Sequence, residues 1–143
     1  MTRDVVITGT QQQRDDAFAV RIAVFVDEQQ IPREEELDDL DETAVHCVAY
    51  VDGTPVAAGR LAVTLDGYGK IGRMAVLKQH RGTGLGAAVL AALEREGAAR
   101  GLREFRLNAQ LSARGFYDRL GYAADGDIYD EVGIPHIAMV KRR

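Results

Sequence analysis

The sequence predicts an α/β fold, an α+β sandwich whose mixed, mainly antiparallel sheet is flanked by helices. Three observations lead there. Runs rich in β-branched and apolar residues recur along the chain, at residues 45–51, 56–63 and 70–77 among others. Short turns alone connect those three, which favours antiparallel neighbours. Two segments of helical spacing are set among the runs, one before residue 30 and one after Gly84.

The first run, residues 5–7, leads into a segment where Phe18, Ile22, Phe25 and Val26 recur at the spacing of one helical face. Ile31-Pro32 ends it, because proline lacks the amide hydrogen and disfavours helix in the residue before it. Asp52-Gly53-Thr54-Pro55 closes a hairpin between the next two strands, and Asp66-Gly67-Tyr68-Gly69 leads into a third. From Gly84 the pattern becomes helical: Leu85, Val89, Ala92 and Leu93 fall on one stripe, and Gly101 can close the C-terminus. Residues 105–107 then read as a strand, Ser112 as an N-cap, residues 113–120 as a short helix stopped by Gly121, and residues 137–140 as a last strand. No repeat, low-complexity tract or linker divides the 143 residues, so a single domain, 1–143, is expected.

No stretch of eighteen uncharged apolar residues occurs, and the amino terminus has no hydrophobic signal core. A cytoplasmic protein without a membrane partner is expected. The 18 Lys and Arg against 22 Asp and Glu give a net charge of -4, which opposes a phosphate backbone, so nucleic acid is not an expected partner. The single cysteine, Cys47, lies in an apolar run and reads as a buried, inert thiol. Acidity is concentrated at positions 34–42, where all but Leu37 and Leu40 carry a carboxylate. This run reads either as a solvated surface loop or as a surface that attracts a cationic substrate.

Chemistry points to residues 71–86, which run strand, glycine-rich turn, helix. A helix N-terminus exposes unpaired N–H groups and a partial positive charge, which together bind a phosphate or pyrophosphate. Gly82, Gly84 and Gly86 have no side chains to block its approach. A Walker A loop would need Lys-Ser/Thr after its last glycine, and a Rossmann fingerprint would need Gly-x-Gly-x-x-Gly; Gly82-Thr83-Gly84-Leu85-Gly86-Ala87-Ala88 has neither.

What the turn resembles is motif A of the GNAT superfamily, Gln/Arg-x-x-Gly-x-Gly/Ala after a strand, here Gln79-His80-Arg81-Gly82-Thr83-Gly84. The resemblance implies an N-acetyltransferase that uses acetyl-coenzyme A, with the sheet of that superfamily. It implies that Gln79, Arg81, Gly82, Thr83, Gly84, Leu85 and Gly86 hold the pyrophosphate and that Met74, Ala75 and Val76 line the pantetheine arm and thioester. Gln110-Leu111-Ser112-Ala113-Arg114-Gly115-Phe116-Tyr117 resembles the downstream pattern Asn-x-x-Ala-x-x-x-Tyr, with Gln110 in place of the commoner Asn at the pantetheine contact. Tyr117 is similar to the tyrosine that in many members protonates the departing thiolate. Arg21-Ile22-Ala23-Val24-Phe25-Val26-Asp27-Glu28-Gln29, Asp38-Asp39-Leu40-Asp41 and Gly133-Ile134-Pro135-His136 extend the resemblance to the ElaA/YjcF-like branch over nearly the whole chain.

The acceptor is then a small-molecule or peptidyl amine. At a pKa of about 10.4 it is an ammonium ion near neutrality, so a base or a water must take a proton before it attacks. The strand before the turn offers only Lys70 and Arg73, which leaves His136 and Glu28 as candidate bases. Arg73 could hold a substrate carboxylate or make a structural ion pair. His46 reads as a core histidine and His80 as an exposed one. The three histidines show no metal-ligand spacing, so no metal is expected. The same phosphate turn would also serve a non-catalytic acyl-coenzyme A binding module, and a homodimer is compatible with either reading.

Overall fold

Asp52 and Gly53, at φ 49° and 82°, close the hairpin expected at residues 52–55 in two residues, because Thr54 and Pro55 already pair with Val51 and Tyr50. The computed structural model describes residues 1–143. Around this hairpin, β1 (Arg3–Ile7), β2 (Val45–Val51), β3 (Thr54–Val63) and β4 (Gly69–Val76) form an antiparallel array. β5 (Glu104–Gln110) joins β4 in parallel, and β8 (Ile134–Arg142) pairs antiparallel with β5. Two short strands, β6 (Ala123–Ala124) and β7 (Tyr129–Glu131), pair with β8. The order β1-β2-β3-β4-β5-β8-β6 is the mixed, mainly antiparallel sheet expected.

Helix α1 (Gln11–Arg21) continues as a π-helical stretch, Ile22–Glu28, and covers one face of the sheet. α2 (Arg33–Glu36) follows it, α3 (Leu85–Ala99) covers the opposite face, and α4 (Arg114–Arg119) follows β5. β2 shows why the sheet reads as apolar throughout. Cys47 and Ala49 enter the core under α3, and Val48 enters the core under α1, so both faces are dry. Burial pushes the Cys47 thiol up to about 12, which leaves it protonated and inert.

Three expectations need correction. The buried stripe of the first helix is Ala17, Val20, Arg21, Val24 and Phe25; Phe18, Ile22 and Val26 are only half-buried. Arg21 turns inward because its partners there are the buried carboxylates of Glu36 and Asp41. Ser112 caps no helix. It lies in a 3₁₀ turn, Leu111–Ala113, where the Arg114 N–H donates to the Leu111 carbonyl and supplies the bond a side-chain cap would have made. The last strand begins at Ile134 and is joined by β7, a pairing that the sequence reading missed.

The acidic run at 34–42 divides: Glu34, Glu35, Asp39 and Glu42 are exposed, as a solvated loop would have them, while Glu36, Asp38 and Asp41 are paired with arginines. Glu36 and Asp41 are buried, and Arg21, itself 1% exposed, donates to Glu36 at 2.8 Å and to Asp41 at 2.7 Å. Arg60 donates to Asp38 and Asp41 at 2.7 and 2.8 Å, and Arg73 pairs with Glu36 and Asp38. Three guanidinium groups thus neutralise three carboxylates and tie α1, α2 and the segment at 38–42 to β3 and β4. Burial raises the Glu36 carboxyl above its ordinary range. At Asp41 burial acts the same way, but hydrogen bonds from Arg21 and Arg60 outweigh it and hold the carboxyl well below that range.

His46 lies beneath this network with its ring edge against Phe18. Its Nε2 is 2.9 Å from the Asp41 carbonyl oxygen, which can only accept, so the neutral ring carries its proton there and Nδ1 has no partner. Burial lowers the His46 pKa, because a charged ring would lose its hydration. The unfolded chain therefore binds a proton that the folded chain refuses. This contribution to stability is fully present above the unfolded value of about 6.5 and is lost as pH falls below it, with a slope of at most about 1.4 kcal/mol per pH unit. Urea midpoints should fall between pH 7.5 and 5.5, and should fall less in His46→Gln; equal slopes would assign the effect elsewhere.

Candidate active site

Strands β4 and β5 pair only at Gly69 with Phe105 and Lys70 with Arg106. Beyond those positions they separate, and a cleft of about 850 Å³ opens between them, walled by β4 from Ile71 to Val76 and by β5 from Leu107 to Gln110. Arg73, at φ 54°, lies in an irregularity of the β3–β4 ladder beside this opening. Leu77 N–H donates to Val56 of β3, so by strand alternation the amide of Val76 faces the other way, toward the cleft. The Val76 carbonyl agrees with this: it accepts from Arg81 Nε at 3.0 Å, away from β3.

One end of the cleft is the N-terminus of α3. Gly82 and Gly84 take φ of 77° and 85°, which L side chains rarely adopt, and a Cβ at Gly82 would meet nothing within 4 Å. The turn is open, and no acidic side chain lies in the first turn of this 15-residue helix. Its leading N–H groups have no intrahelical acceptor and are available to an anion. Arg3 from β1 steadies the turn by donating to the Thr83 carbonyl at 3.1 Å.

Tyr117 reaches the wall from α4. Phe116 packs on the first turn of α3, where a Cβ at Gly86 would come within 3.2 Å of its ring, and Tyr117 stacks edge-on between Phe116 and Tyr122. The Tyr122 hydroxyl donates to Glu94 of α3 at 2.7 Å, and Lys141 donates to the same carboxylate and to the Leu120 carbonyl. Gly121, at φ 96°, lets the Tyr122 N–H return to the Tyr117 carbonyl at 3.0 Å. Tyr117 is thereby fixed between two helices. No protein group bonds its hydroxyl, which opens on the cleft, and burial alone raises its pKa above the usual tyrosine value.

The remaining sequence-selected residues divide. Met74, Ala75, Val76, Arg81, Gly82, Gly84, Leu85, Gly86, Gln110 and His136 line the cleft. Gln79 and Thr83 do not: Gln79 is exposed on a short turn, and the Thr83 hydroxyl is turned back to donate to the His80 carbonyl at 2.6 Å. Glu28 is also outside the wall. Arg81 grips both of its oxygens, at 2.7 and 2.6 Å, and that hydrogen bonding holds its carboxyl below the ordinary range, which removes it from the candidate bases. Arg73 donates to the Glu35 and Glu36 carbonyls as well as to its carboxylates, so no free fork is left for a substrate carboxylate. Gln110 exchanges amide hydrogen bonds of 3.2 and 2.8 Å with Gln29, from the end of the π-helical stretch. His80, expected to be exposed, is half-buried on the wall, and Glu131 and Val132 line it without having been singled out in the sequence.

Residues 9–143 match the acetyltransferase (GNAT) domain family. The chain belongs to that family. It is 44% identical over 137 residues to YjcF, an uncharacterized N-acetyltransferase of Bacillus subtilis, covering 95% of this chain and 97% of the relative. The crystal structure of an acyl-CoA N-acyltransferase from Pseudomonas aeruginosa superposes with a TM-score of 0.86 at 30% identity, over 98% of this chain and 99% of that one. Escherichia coli ElaA has the same fold, with a TM-score of 0.85 over 99% of both chains, at 24% identity. These likenesses place the acetyltransferase in the ElaA/YjcF-like branch. None of its helices is long and apolar enough to cross a membrane, and no group of three or more His, Cys, Asp or Glu side chains is placed to hold a metal ion.

Proposed function

We propose that this acetyltransferase passes the acetyl group of acetyl-coenzyme A directly to a small-molecule or peptidyl amine, as one domain and without a covalent enzyme intermediate. The observation that carries the reading is one cleft whose wall takes in the N-terminus of α3, the edge of β4 that β5 leaves unpaired, Tyr117 and His136. The pyrophosphate binds the N–H groups of the turn between Arg81 and Gly86, and the pantetheine arm lies along Met74, Ala75 and Val76 as an added strand would. Gln110 reaches the arm once its exchange with Gln29 is broken.

His136 takes one proton from the acceptor ammonium, and the freed lone pair attacks the thioester carbon. The carbonyl oxygen becomes an anion, which the cleft-facing Val76 N–H stabilises. As the C–S bond breaks, Tyr117 gives its hydroxyl proton to the sulfur. The second proton leaves the new amide nitrogen and restores Tyr117 through solvent. Amide, free coenzyme A and one released proton balance the reaction.

Two measurements test this. Wild-type protein should release free thiol from acetyl-coenzyme A in the presence of a mixed amine panel, whereas tight coenzyme A binding with no release would make the chain a binding module. Gly84→Glu sets bulk and negative charge at the phosphate position and strains a left-handed backbone. Calorimetry on the folded variant should detect no coenzyme A binding; unchanged affinity would refute the placement of the pyrophosphate.

A further inference from the structure

His136 Nδ1 lies 2.7 Å from the Ile134 carbonyl oxygen. A carbonyl only accepts, so in the neutral ring the proton sits on Nδ1 and Nε2 keeps its lone pair. Across from that lone pair, at 3.6 Å, stands Oε2 of Glu131. The separation is too long for a hydrogen bond, and both atoms are acceptors. Two acceptors therefore converge on the wall of the cleft that holds Tyr117, with no donor of the protein between them.

The hairpin produces this convergence by register. Glu131 pairs with Ile134 and Tyr129 with His136, so Glu131 and His136 are diagonal neighbours on one face of β7 and β8. Val132 and Gly133, at φ 45° and 77°, make the turn. Such a turn favours Asn-Gly, and a β-branched residue at positive φ is strained. The strain is kept where the half-exposed Val132 side chain borders the cleft beside the pair. The other carboxylates of the wall differ: Glu36 and Asp38 are held by arginines, and Glu35 faces no side-chain base.

We propose that Glu131 and His136 form the ammonium subsite of the acceptor, which takes a primary alkylammonium ion with its carbon skeleton against Val132. The inference rests on the acetyl-transfer reading and extends it to the substrate class. The ammonium donates one N–H to Glu131 and one to His136. Its bond to the second proton breaks as the Nε2–H bond forms, the electron pair stays on nitrogen, and Glu131 remains a carboxylate beside the new imidazolium.

The probes are n-butylamine, an ammonium ion at neutral pH, and hydroxylamine, which is uncharged there. Losing one charge-assisted hydrogen bond should raise the KM of Glu131→Gln for n-butylamine about 10-fold or more. The KM values for hydroxylamine and acetyl-coenzyme A should stay within about twofold, since neither engages the carboxylate as a cation. A readout without turnover accompanies this: n-butylammonium chloride titrated into the coenzyme A complex should shift the His136 imidazole resonances saturably, against sodium chloride at equal ionic strength. Glu131→Gln should raise the half-saturating concentration by about the same 10-fold or more. If no amine is acetylated but the resonances still saturate, at lower concentration in wild type than in Glu131→Gln, the transfer reading fails and the subsite stands. If n-butylammonium leaves the resonances unmoved, or Glu131→Gln saturates and turns over like wild type, the subsite is overturned.

Discussion

Tyr117→Phe should lower turnover with any amine acceptor by about 10²–10⁴-fold, the usual worth of a positioned general acid. The ring should keep its place, because Phe116, Tyr122 and the α3 face hold it by packing and the hydroxyl bonds no protein group. Burial raises the Tyr117 pKa, so the hydroxyl holds its proton through the neutral range. Coenzyme A affinity, which the proposed site assigns to the helix turn and β4, should change little. Thiol release under saturating substrate, with calorimetry for coenzyme A, separates the two effects. A variant with wild-type turnover would remove Tyr117 from the mechanism, and one that loses coenzyme A binding in parallel would make it a packing residue.

How far the sequence reached depended on whether the signal was local. Asp52-Gly53 marks its turn locally, and Gly82-Thr83-Gly84 marks an open turn because glycine is what a positive φ requires. Leu85, Val89 and Leu93 repeat along one face and are all buried. The cleft itself was not legible, since it arises where β4 and β5 separate after two paired positions, and no residue type encodes a divergence of strands. Glu131 was missed for a related reason. β7 has three residues, all exposed, and a run that short has no periodicity to read; its role depends on register with His136. The same limit explains the acidic run: a carboxylate pattern reads as surface until its partners are known, and Arg21 and Arg60 lie 15 to 22 residues away in the chain.

Asp41→Asn should cost about 3 kcal/mol of stability, the low end for breaking a buried ion pair, since Arg21 keeps Glu36 and Arg60 keeps Asp38. Oδ1 accepts from Arg21 and Arg60 at 2.7 and 2.8 Å, and Oδ2 accepts from Arg21 and from the Asp38 amide at 3.1 and 3.2 Å. An asparagine retains one acceptor and turns an NH₂ toward groups that are already donors. Arg21 is then left charged at 1% exposure, with Glu36 as its remaining anion. Asp39, exposed and without an ion pair, is the control, and Asp39→Asn should lie within about 0.5 kcal/mol of wild type. Had the run served to attract a cationic acceptor, neutralising Asp39 would weaken that attraction as much as neutralising the paired Asp41, and stability would move in neither. Urea unfolding of both variants, with acceptor KM at two salt concentrations for Asp39→Asn, distinguishes these origins. A salt-dependent KM change in Asp39→Asn together with wild-type stability in Asp41→Asn would overturn the structural account of the acidic run.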